Sequence, residues 1–522
     1  MSESVLLHNG MIYPMDGQEA RAEALAIREG RILRIGTAAE AREALPSPDL
    51  EIDLHGRAVL PSFVDNLTIL SHEIGAKVFL DLSGLLNVPE IFAMIEQATR
   101  RSERGEWIAG YGWNKSHWGW QRFPHRADLD LVSPHHPVFL LSSDGRVAWT
   151  NSMALEQIGI RRDTTNPPGG EIERDSTTGA ATGILKESAV DLVRPFLPRP
   201  ETDVLENALR DIVRYYHSVG VTAASTLALQ GEIELLTRID KPLGLDFDLT
   251  LHVHNHDREL CAERGWKTGS GVSGFSIGAL WAAVDGTLLS RTAWMLEPYV
   301  VNWDLHGIQI TPGEELEDLA RWCLASGWDV LFHASGDAAC RTVIETLQKT
   351  GFGCGMHTAL IAGGDLVSEE DLQGIPKCRL GLCCNPIKKV TESDAGKTYW
   401  GNRWNRAHPL NAWKQAGAAL RFSSMEPLGG WSPLKALQVA TDPAQKGMGL
   451  TLVEGLEALC SRFSHTAAEP CKKGLLADGA SADLVVLSGD PARVSSQEIS
   501  DLRVDMTFYE GNMVFNREGQ PS

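Results

Sequence analysis

Residues 56–69 read Gly-Arg-Ala-Val-Leu-Pro-Ser-Phe-Val-Asp-Asn-Leu-Thr-Ile. The apolar run at 58–60 has the length and composition of a short strand. After Asp65 the chain continues with Leu67 and Ile69, whose side chains offer no lone pair to a metal ion. The stretch therefore predicts strand structure that ends in apolar rather than metal-binding side chains.

Short strands precede this stretch and return near the C-terminal end of the chain. On the N-terminal side the predicted strands are 5–8, 11–13, 24–28, 31–35, 51–54 and 58–60, and on the C-terminal side they are 482–487, 504–509 and 513–515. Turn pairs such as Asn9-Gly10 and Glu29-Gly30 separate them. Two β-rich ends around one middle segment predict a small β-sandwich domain composed of residues 1–60 and 471–522.

The middle segment, 61–470, alternates short apolar runs with amphipathic stretches. The predicted strands include 221–225, 249–254, 329–333 and 379–383, and the predicted helices include 314–326 and 339–349. This alternation is typical of βαβ units in an α/β fold. Residues 75–200 depart from it, with tryptophans clustered at 107–120 and a Pro-Pro-Gly-Gly turn at 167–170. They predict a large insertion after the first strand of the middle segment.

The composition is that of an ordinary globular chain. Of its 522 residues 43% are hydrophobic and 22% charged, the net charge is −20 and the pI is about 5.3. This acidity disfavours nucleic acids and anionic membranes as partners, since both select basic surfaces. Nine cysteines without a CxxC pair and the absence of a signal-peptide pattern predict a reducing cytoplasm. We expect a small-molecule substrate and, on base rates, a homodimer.

Further motifs follow one another in a fixed order along nearly the whole chain. They are 107–113, Asp144-Gly145 with Asn151-Ser152, Gly169-Gly170 with 182–185, 220–222, Asp285-Gly286 with 291–293, His333 with 336–338, and 482–487. Together with 56–69 they resemble the YtcJ-like (amidohydrolase 3) family of the amidohydrolase superfamily. The resemblance implies a (β/α)8 TIM-like barrel over 61–470, with the active site at the C-terminal ends of its strands. It also implies an ancestry in the hydrolysis of C–N (non-peptide) bonds, with 75–200 as an inserted lid subdomain.

The same resemblance implies which positions correspond to the family's metal ligands. They are Leu67 and Ile69 on the first barrel strand, Trp281 on the fourth, His333 on the fifth, Leu360 and Ile361 on the sixth, and Ser424 with Met425 on the eighth. One histidine cannot hold zinc, because a catalytic zinc site needs about three protein ligands. We therefore predict no metal and no other cofactor. The predicted floor of the site is apolar, with Leu67, Ile69, Trp281, Ile361 and Met425 as its substrate-binding residues.

Three residues are candidates for acid/base catalysis. His333 and Asp337 lie four residues apart where a strand enters a helix, and an imidazole near a carboxylate suits proton transfer. A purely structural role for His333 is an equally open interpretation. Glu426 follows the strand-eight position where the resemblance implies a lost aspartate. It is either a substitute base or a residue that points away, because a shift of one residue reverses a side chain along a strand.

Two further side chains are candidates for binding the substrate. Arg146 of the insertion is suited to a substrate carboxylate, because its guanidinium is a fixed cation, although an exposed loop arginine is equally compatible with the sequence. Trp113 joins Trp281 as a candidate wall of an aromatic pocket. An apolar floor with aromatic walls predicts an apolar or aromatic substrate.

These observations give one leading function and two alternatives. The leading function is an enzyme of the amidohydrolase superfamily that acts on a small organic molecule by metal-independent acid/base chemistry. The first alternative is a C–N bond hydrolase with a relocated metal bound by His252, His254 and His333, since strand alternation puts His252 and His254 on one face. The second is a catalytically silent barrel that binds a ligand in a regulatory role.

Overall fold

A computed structural model of the chain describes residues 4–16, 21–118, 123–229, 245–272, 274–353, 355–375, 379–425, 431–463 and 474–519. Within these residues the strands pair into separate sheets, of which the largest is a parallel barrel. No helix among the described residues combines the length and the apolarity that a bilayer crossing requires.

The N-terminal segment begins with strands that belong to two sheets. They are β1 (Val5–His8), β2 (Met11–Ile12), β3 (Ala24–Arg28), β4 (Arg31–Gly36), β5 (Leu50–Asp53) and β6 (Ala58–Pro61). Four of them pair in the order β4-β3-β1-β5. The next strand, β7 (Phe63–Thr68), enters the barrel.

A six-stranded sheet follows β7 in the chain. Its strands are β8 (Leu80–Asp81), β9 (Ile108–Trp113), β10 (Val138–Ser142), β11 (Val147–Thr150), β12 (Gly170–Arg174) and β13 (Ala181–Glu187). They pair in the order β12-β13-β11-β10-β9-β8, separately from the barrel strands. We call this unit the inserted sheet.

The barrel is completed by strands from the middle of the chain. They are β14 (Val221–Leu227), β15 (Asp248–His254), β17 (Phe275–Ala283), β18 (Val330–Ala334), β19 (Ala359–Gly363), β20 (Leu380–Cys384) and β21 (Ala419–Phe422), with the short β16 (Gly271–Val272) pairing antiparallel to β17. With β7 they form a parallel sheet in the order β21-β20-β19-β18-β17-β15-β14-β7. The eight strands thus form a nearly closed barrel.

The barrel closes through contacts between its first and last strands. The backbone N–H of Met425 donates to the carbonyl of Leu67 over 2.9 Å, and the N–H of Ser424 donates to the Asp65 carboxylate over 2.8 Å. The Asn66 side chain donates to the carbonyl of Phe422. These bonds replace a regular ladder at the seam and satisfy polar groups that would otherwise be buried without partners.

Three C-terminal strands complete a sheet with two strands of the N-terminal segment, and we call it the terminal sheet. They are β22 (Leu484–Leu487), β23 (Val504–Tyr509) and β24 (Asn512–Asn516), and the pairing order is β2-β6-β22-β23-β24. One hydrophobic cluster contains side chains from this sheet and from the β4-β3-β1-β5 sheet, including Leu7, Leu25, Leu484 and Phe508.

The helices lie mostly between successive barrel strands. They are α1 (Ala38–Ala44), α2 (Leu70–Val78), α3 (Val88–Thr99), α4 (Arg126–Asp130), α5 (Ser152–Ile158), α6 (Thr202–Ser218), α7 (Arg258–Glu263), α8 (Gly313–Ser326), α9 (Asp337–Thr350), α10 (Glu369–Gln373), α11 (Lys388–Thr391), α12 (Ser393–Tyr399), α13 (Leu410–Gln415), α14 (Pro433–Thr441) and α15 (Leu452–Cys460). Local chemistry fixes several of their ends. Thr451 and Glu454 form a capping box at the start of α15, and α8 ends at Gly327 in the left-handed conformation.

Strand alternation divides the core of the barrel into two layers. Along β18, Val330, Phe332 and Ala334 pack in the layer shared with the helices, while Leu331 packs in the barrel lumen. Fully buried parallel strands carry apolar residues on both faces, which explains their continuous apolar runs in the sequence. The predicted strands and helices agree with the structure within one or two residues at nearly every boundary, as for predicted 504–509 and observed Val504–Tyr509.

Candidate functional site

A pocket lies at the C-terminal end of the barrel, where the inserted sheet meets the strand ends. Its lining residues come from barrel strands, from loops that follow them and from the turn between β10 and β11: Leu67, Thr68, Ile69, Asp144, Arg146, Leu227, Thr287, His333, Lys388 and Met425. Of the residues predicted for the site, Leu67, Ile69, Arg146, His333 and Met425 are therefore brought together.

The barrel lumen beneath this pocket is apolar. It is filled by one cluster consisting of Leu67, Ile69, Leu227, Ala279, Trp281, Ala283, Leu331, Leu360, Ala362, Cys383 and Phe463, with Met425 packed against it. The Trp281 ring lies within this cluster, and its indole N–H donates to the carbonyl of Ala228 over 2.8 Å. Trp281 thus forms part of the floor and has its one polar atom satisfied.

Two predicted lining residues lie elsewhere. Ile361 packs in the layer between strands and helices, whereas its neighbours Leu360 and Ala362 face the lumen, so the prediction was displaced by one residue along the strand. Trp113 is buried in the core of the inserted sheet, where its indole N–H donates to the carbonyl of Leu140 over 2.8 Å. Its role there is to pack the inserted sheet rather than to line the pocket.

His333 projects into the pocket from the end of β18. Its Nδ1 lies 3.1 Å from the backbone carbonyl of Asp285, and because a carbonyl can only accept, Nδ1 carries the proton. Nε2 is then an acceptor, and it has no hydrogen-bond partner among the described residues. Burial, together with the nearby cations Arg146 and Lys388, lowers the pKa of His333 to about 3, so the ring is neutral at pH 7.

The carboxylate nearest to His333 belongs to Asp285 and not to Asp337. Asp285 Oδ1 lies 4.0 Å from Nδ1 of His333, and the Asp285 carboxylate accepts from the backbone N–H groups of Ser335 and Gly336. Asp337, the first residue of α9, instead accepts from the backbone N–H of Leu296. The predicted His333–Asp337 pair was wrong, because the loop after β17 brings Asp285 closer than the helix turn brings Asp337.

Arg146 is largely buried where the inserted sheet meets the barrel. Its Nη1 donates to Oε2 of Glu187 over 3.3 Å, and the Glu187 side chain is fully buried. The remaining guanidinium nitrogens have no partner among the described residues, so Arg146 keeps donors for a ligand. Burial raises the pKa of Glu187, with Arg146 opposing that effect.

Asp144 lines the pocket, but its hydrogen-bonding capacity is used. Its carboxylate accepts from the hydroxyls of Ser142, Thr287 and Ser290 and from the backbone N–H of Arg146. These bonds join the turn of the inserted sheet to the loop after β17. Asp144 therefore holds the turn that carries Arg146 against the loop after β17.

Lys388 is a pocket residue that the sequence did not single out. It begins α11 four residues after β20 ends, and it is buried, with Nζ 3.8 Å from Oε1 of Glu392. The signal available in the sequence was its position just beyond the C-terminal end of a predicted barrel strand, where barrel active sites lie.

Leu251 and Val253 pack in the layer shared with the helices, so His252 and His254 share the opposite face of β15, as alternation predicts. They do not meet His333 in a metal-binding group. His252 accepts the backbone N–H of Ala279 through Nδ1 over 2.9 Å. His254 stacks on His256 and contacts Trp281 edge to face. Burial lowers the pKa of His254 to about 3. Within the described ranges, no group of three or more His, Cys, Asp or Glu side chains could hold a metal ion. The remaining catalytic candidate, Glu426, lies outside the described residues.

An eight-stranded parallel barrel with its pocket at the C-terminal strand ends defines the class of TIM-like barrel proteins. Within that class, the sequence pattern of the amidohydrolase family matches residues 50–515, and the chain belongs to this family of hydrolytic enzymes. YtcJ of Bacillus subtilis (strain 168) is 27% identical over 98% of this chain and 99% of its own length. The N-substituted formamide deformylase of Arthrobacter pascens is 27% identical over 99% of both chains.

Solved structures agree with the fold. The crystal structure of an uncharacterized metal-dependent hydrolase from Pyrococcus horikoshii OT3 superposes with a TM-score of 0.74 at 21% identity, covering 94% of this chain and 99% of that one. The described residues of the lumen do not supply the ligands that a catalytic metal ion needs. Leucine, isoleucine, alanine, phenylalanine and tryptophan side chains fill most of it. Its two sulfur atoms are those of Met425 and of Cys383, whose thiol lies against the Asn66 carbonyl and has its pKa raised by burial.

Proposed function

We propose that the chain is an amidohydrolase-family enzyme that acts on a small apolar or aromatic molecule by acid/base chemistry that requires no metal ion. The observation that carries this proposal is the apolar lumen, in which Leu67, Ile69, Trp281 and Leu360 lie beneath the neutral imidazole of His333. An apolar floor suits an alkyl or aryl group. The relationship to an N-substituted formamide deformylase supports an ancestry in C–N bond hydrolysis.

His333 would accept a proton from the substrate, or from a water molecule, at Nε2. The Asp285 carbonyl holds the proton on Nδ1, so the lone pair on Nε2 is directed to the ligand side of the ring. The Asp285 carbonyl, 3.1 Å from Nδ1, would keep accepting the hydrogen bond of the imidazolium that forms. Such chemistry includes isomerisation, elimination and hydrolysis of an activated bond.

We also infer that residues 75–200 form a lid over the pocket and that 1–60 with 471–522 form one β-sandwich domain. The position of Asp144 and Arg146 among the lining residues supports the lid. The hydrophobic cluster shared by the β4-β3-β1-β5 sheet and the β2-β6-β22-β23-β24 sheet supports the sandwich.

The first test is elemental analysis of protein purified without chelators, expressed with and without added zinc, manganese or iron. We expect less than about a tenth of an equivalent of metal under every condition, because a catalytic site needs about three protein ligands. One or two equivalents would overturn the metal-free proposal and restore a metal-dependent hydrolase.

A histidine scan distinguishes the metal-free enzyme from a hydrolase with a relocated metal site. His333→Ala should abolish turnover in the metal-free enzyme, while His254→Ala should leave it within a few-fold. Loss of both activity and bound metal in His252→Ala and His254→Ala would assign a relocated metal site instead. Ligand binding without turnover across a broad compound panel would assign a silent binding protein.

A further inference from the structure

Three cations surround the ring of Phe123 where the inserted sheet meets the barrel. Lys115, which follows β9, has its Nζ 4.9 Å from the centre of that ring. The guanidinium carbon of Arg291, in the loop after β17, lies 4.7 Å from the same centre, and Nζ of Lys186 lies 5.1 Å from it. An aromatic face stabilises a cation by only about 0.5–2 kcal/mol, so charges withdrawn from water at this ring need further partners.

One of the three cations has such partners, whereas two have none. Nζ of Lys186 lies 3.2 Å from a carboxylate oxygen of Glu171 and 3.2 Å from one of Glu173. Neither Lys115 nor Arg291 forms an ion pair with any residue that the structure describes. Nε of Arg291 is buried and lacks a hydrogen-bond partner. Lys115 and Arg291 therefore share a ring without a counter-ion.

The Tyr399 side chain adds a third donor to these two cations. Nζ of Lys115 donates to the Tyr399 hydroxyl oxygen over 2.9 Å, and because an ammonium group can only donate, the hydroxyl proton is directed elsewhere. That proton has no acceptor among the described side chains and carbonyls. The Arg291 guanidinium carbon lies 5.8 Å from the centre of the Tyr399 ring. We call Lys115, Arg291 and Tyr399 the donor cluster.

Nearby charges do not replace the missing partner of the donor cluster. Asp144 acts on Lys115 only through space, since its carboxylate accepts from three hydroxyls and one backbone N–H instead. Burial and the charge of Arg291 lower the pKa of Lys115, whereas the Tyr399 hydroxyl and Asp144 oppose this effect. An anion at the donor cluster would offset the unfavourable burial of the Lys115 charge.

The position of the donor cluster lets an anion reach it and contact two structural units at once. Lys115 is 5% exposed, but Arg291 and Tyr399 are only partly buried, so the cluster opens to solvent on their side. Lys115 belongs to the inserted sheet, whereas Arg291 follows barrel strand β17 and Tyr399 ends α12. An ion bound between them joins the inserted sheet to the barrel.

We propose that the donor cluster binds a phosphate-type oxyanion, which bridges Lys115 of the inserted sheet to Arg291 and Tyr399 of the barrel. Two cations without a contacting carboxylate favour a multiply charged ion, and a phosphate or sulfate group has enough acceptor oxygens for all three donor groups. The recognition chemistry is the same for a free ion and for the charged group of an organic ligand. Binding takes place whether or not the pocket at the strand ends catalyses a reaction.

Isothermal calorimetry with inorganic phosphate, sulfate and phenyl phosphate, each compared with chloride at matched ionic strength, tests this site. We expect saturable binding of one oxyanion per chain and no comparable binding of chloride. Lys115→Met should weaken phosphate binding at least about tenfold, because it removes a charge-assisted contact. Tyr399→Phe keeps the aromatic ring and removes one donor, so it should weaken phosphate binding about threefold to tenfold.

A matched control and a second readout complete the design. Lys349→Met removes one positive charge from the exposed face of α9, where Lys349 pairs with Glu317, and should leave phosphate affinity unchanged. Phosphate should slow hydrogen exchange at 114–118, 285–293 and 393–400 in the wild-type protein but not in Lys115→Met. An affinity for phenyl phosphate at least tenfold above that for phosphate would assign the site to an organic ligand, and equal affinities would assign it to the free ion.

Three results would overturn the proposal. They are binding no stronger than that of chloride, a phosphate affinity unchanged in both Lys115→Met and Tyr399→Phe, and phosphate-dependent protection confined to other segments. If Lys115→Met does not fold, Tyr399→Phe decides between the outcomes, because it preserves the ring over which both cations lie.

Discussion

Glu73 is an acid that the fold holds in an environment unfavourable to its charge. The Thr68 hydroxyl donates to it over 2.7 Å and the Tyr216 hydroxyl lies 3.4 Å away, but the neighbouring Asp65 carboxyl adds repulsion. Burial raises the pKa of Glu73 to about 8 and that of Asp65 to about 6. Both carboxyl groups therefore retain protons in the folded protein at pH values where the unfolded chain has lost them.

This imbalance predicts a stability that falls as the pH rises. Between about pH 4.5, where an unfolded glutamate ionises, and pH 8, the folded protein binds more protons at Glu73 than the unfolded chain does. The free energy of unfolding should therefore decline over this window. Glu73→Gln keeps an acceptor for Thr68 and removes the ionisation, so it should flatten the decline and raise stability at pH 8.5 by a few kcal/mol, with little change at pH 4.5.

Urea denaturation at a series of pH values measures the effect. Glu40→Gln is the contrasting control. Backbone and arginine hydrogen bonds hold the pKa of exposed Glu40 at about 2, so its removal should weaken the protein slightly at neutral pH. A Glu73→Gln profile parallel to wild type would show that Glu73 is ionised in the fold at neutral pH.

At the scale of elements, the barrel depends on the seam between β7 and β21. Asp65 Oδ1 accepts from the backbone of Ser424, and Oδ2 accepts from the Tyr216 hydroxyl of α6. Asp65→Ala leaves these buried donors without partners and should lower the free energy of unfolding by about 2–4 kcal/mol. Asp65→Asn, which keeps an acceptor oxygen, should lower the free energy of unfolding by less.

Faster amide exchange at 63–68 and 419–425 in the alanine variant, measured by mass spectrometry, would locate the damage at the seam. Unchanged exchange there would contradict this account.

The elements were predictable because their signals are local, whereas the site depends on register and on distant loops. Continuous apolar runs identified the barrel strands. Which of two adjacent residues faces the lumen is set by pairing with neighbouring strands, and for this reason Leu360 rather than Ile361 lines the floor. Asp285 contacts His333 from the end of the neighbouring strand, 48 residues away in the sequence, a contact that no short-range spacing encodes. Lys388 and Arg146 line the same pocket only because the turn of the inserted sheet that carries Arg146 lies at the end of the barrel.

At the scale of the whole molecule, hydrogen bonds join the terminal sheet (β2-β6-β22-β23-β24) to the barrel. The Thr507 hydroxyl on β23 donates to the carbonyl of His217 at the end of α6 over 2.7 Å, and the Tyr509 hydroxyl donates to Asp248 on β15 over 2.8 Å. Thr507 is fully buried, so its bond lies inside the contact between the two units. We expect the terminal sheet and the barrel to unfold together rather than in sequence.

Thr507→Val tests this coupling with almost no change of shape. It leaves the His217 carbonyl buried without that donor and should lower the free energy of unfolding by about 1–2 kcal/mol. Thr398→Val removes a comparable hydroxyl bond, to the Asp394 carbonyl, on the exposed surface of α12 and should have a much smaller effect. If the units are coupled, hydrogen exchange in the Thr507→Val protein accelerates in α6 as well as in β23, and denaturation keeps a single transition. Acceleration confined to 504–516 would mean that the terminal sheet opens by itself, and the barrel would then be stable without it.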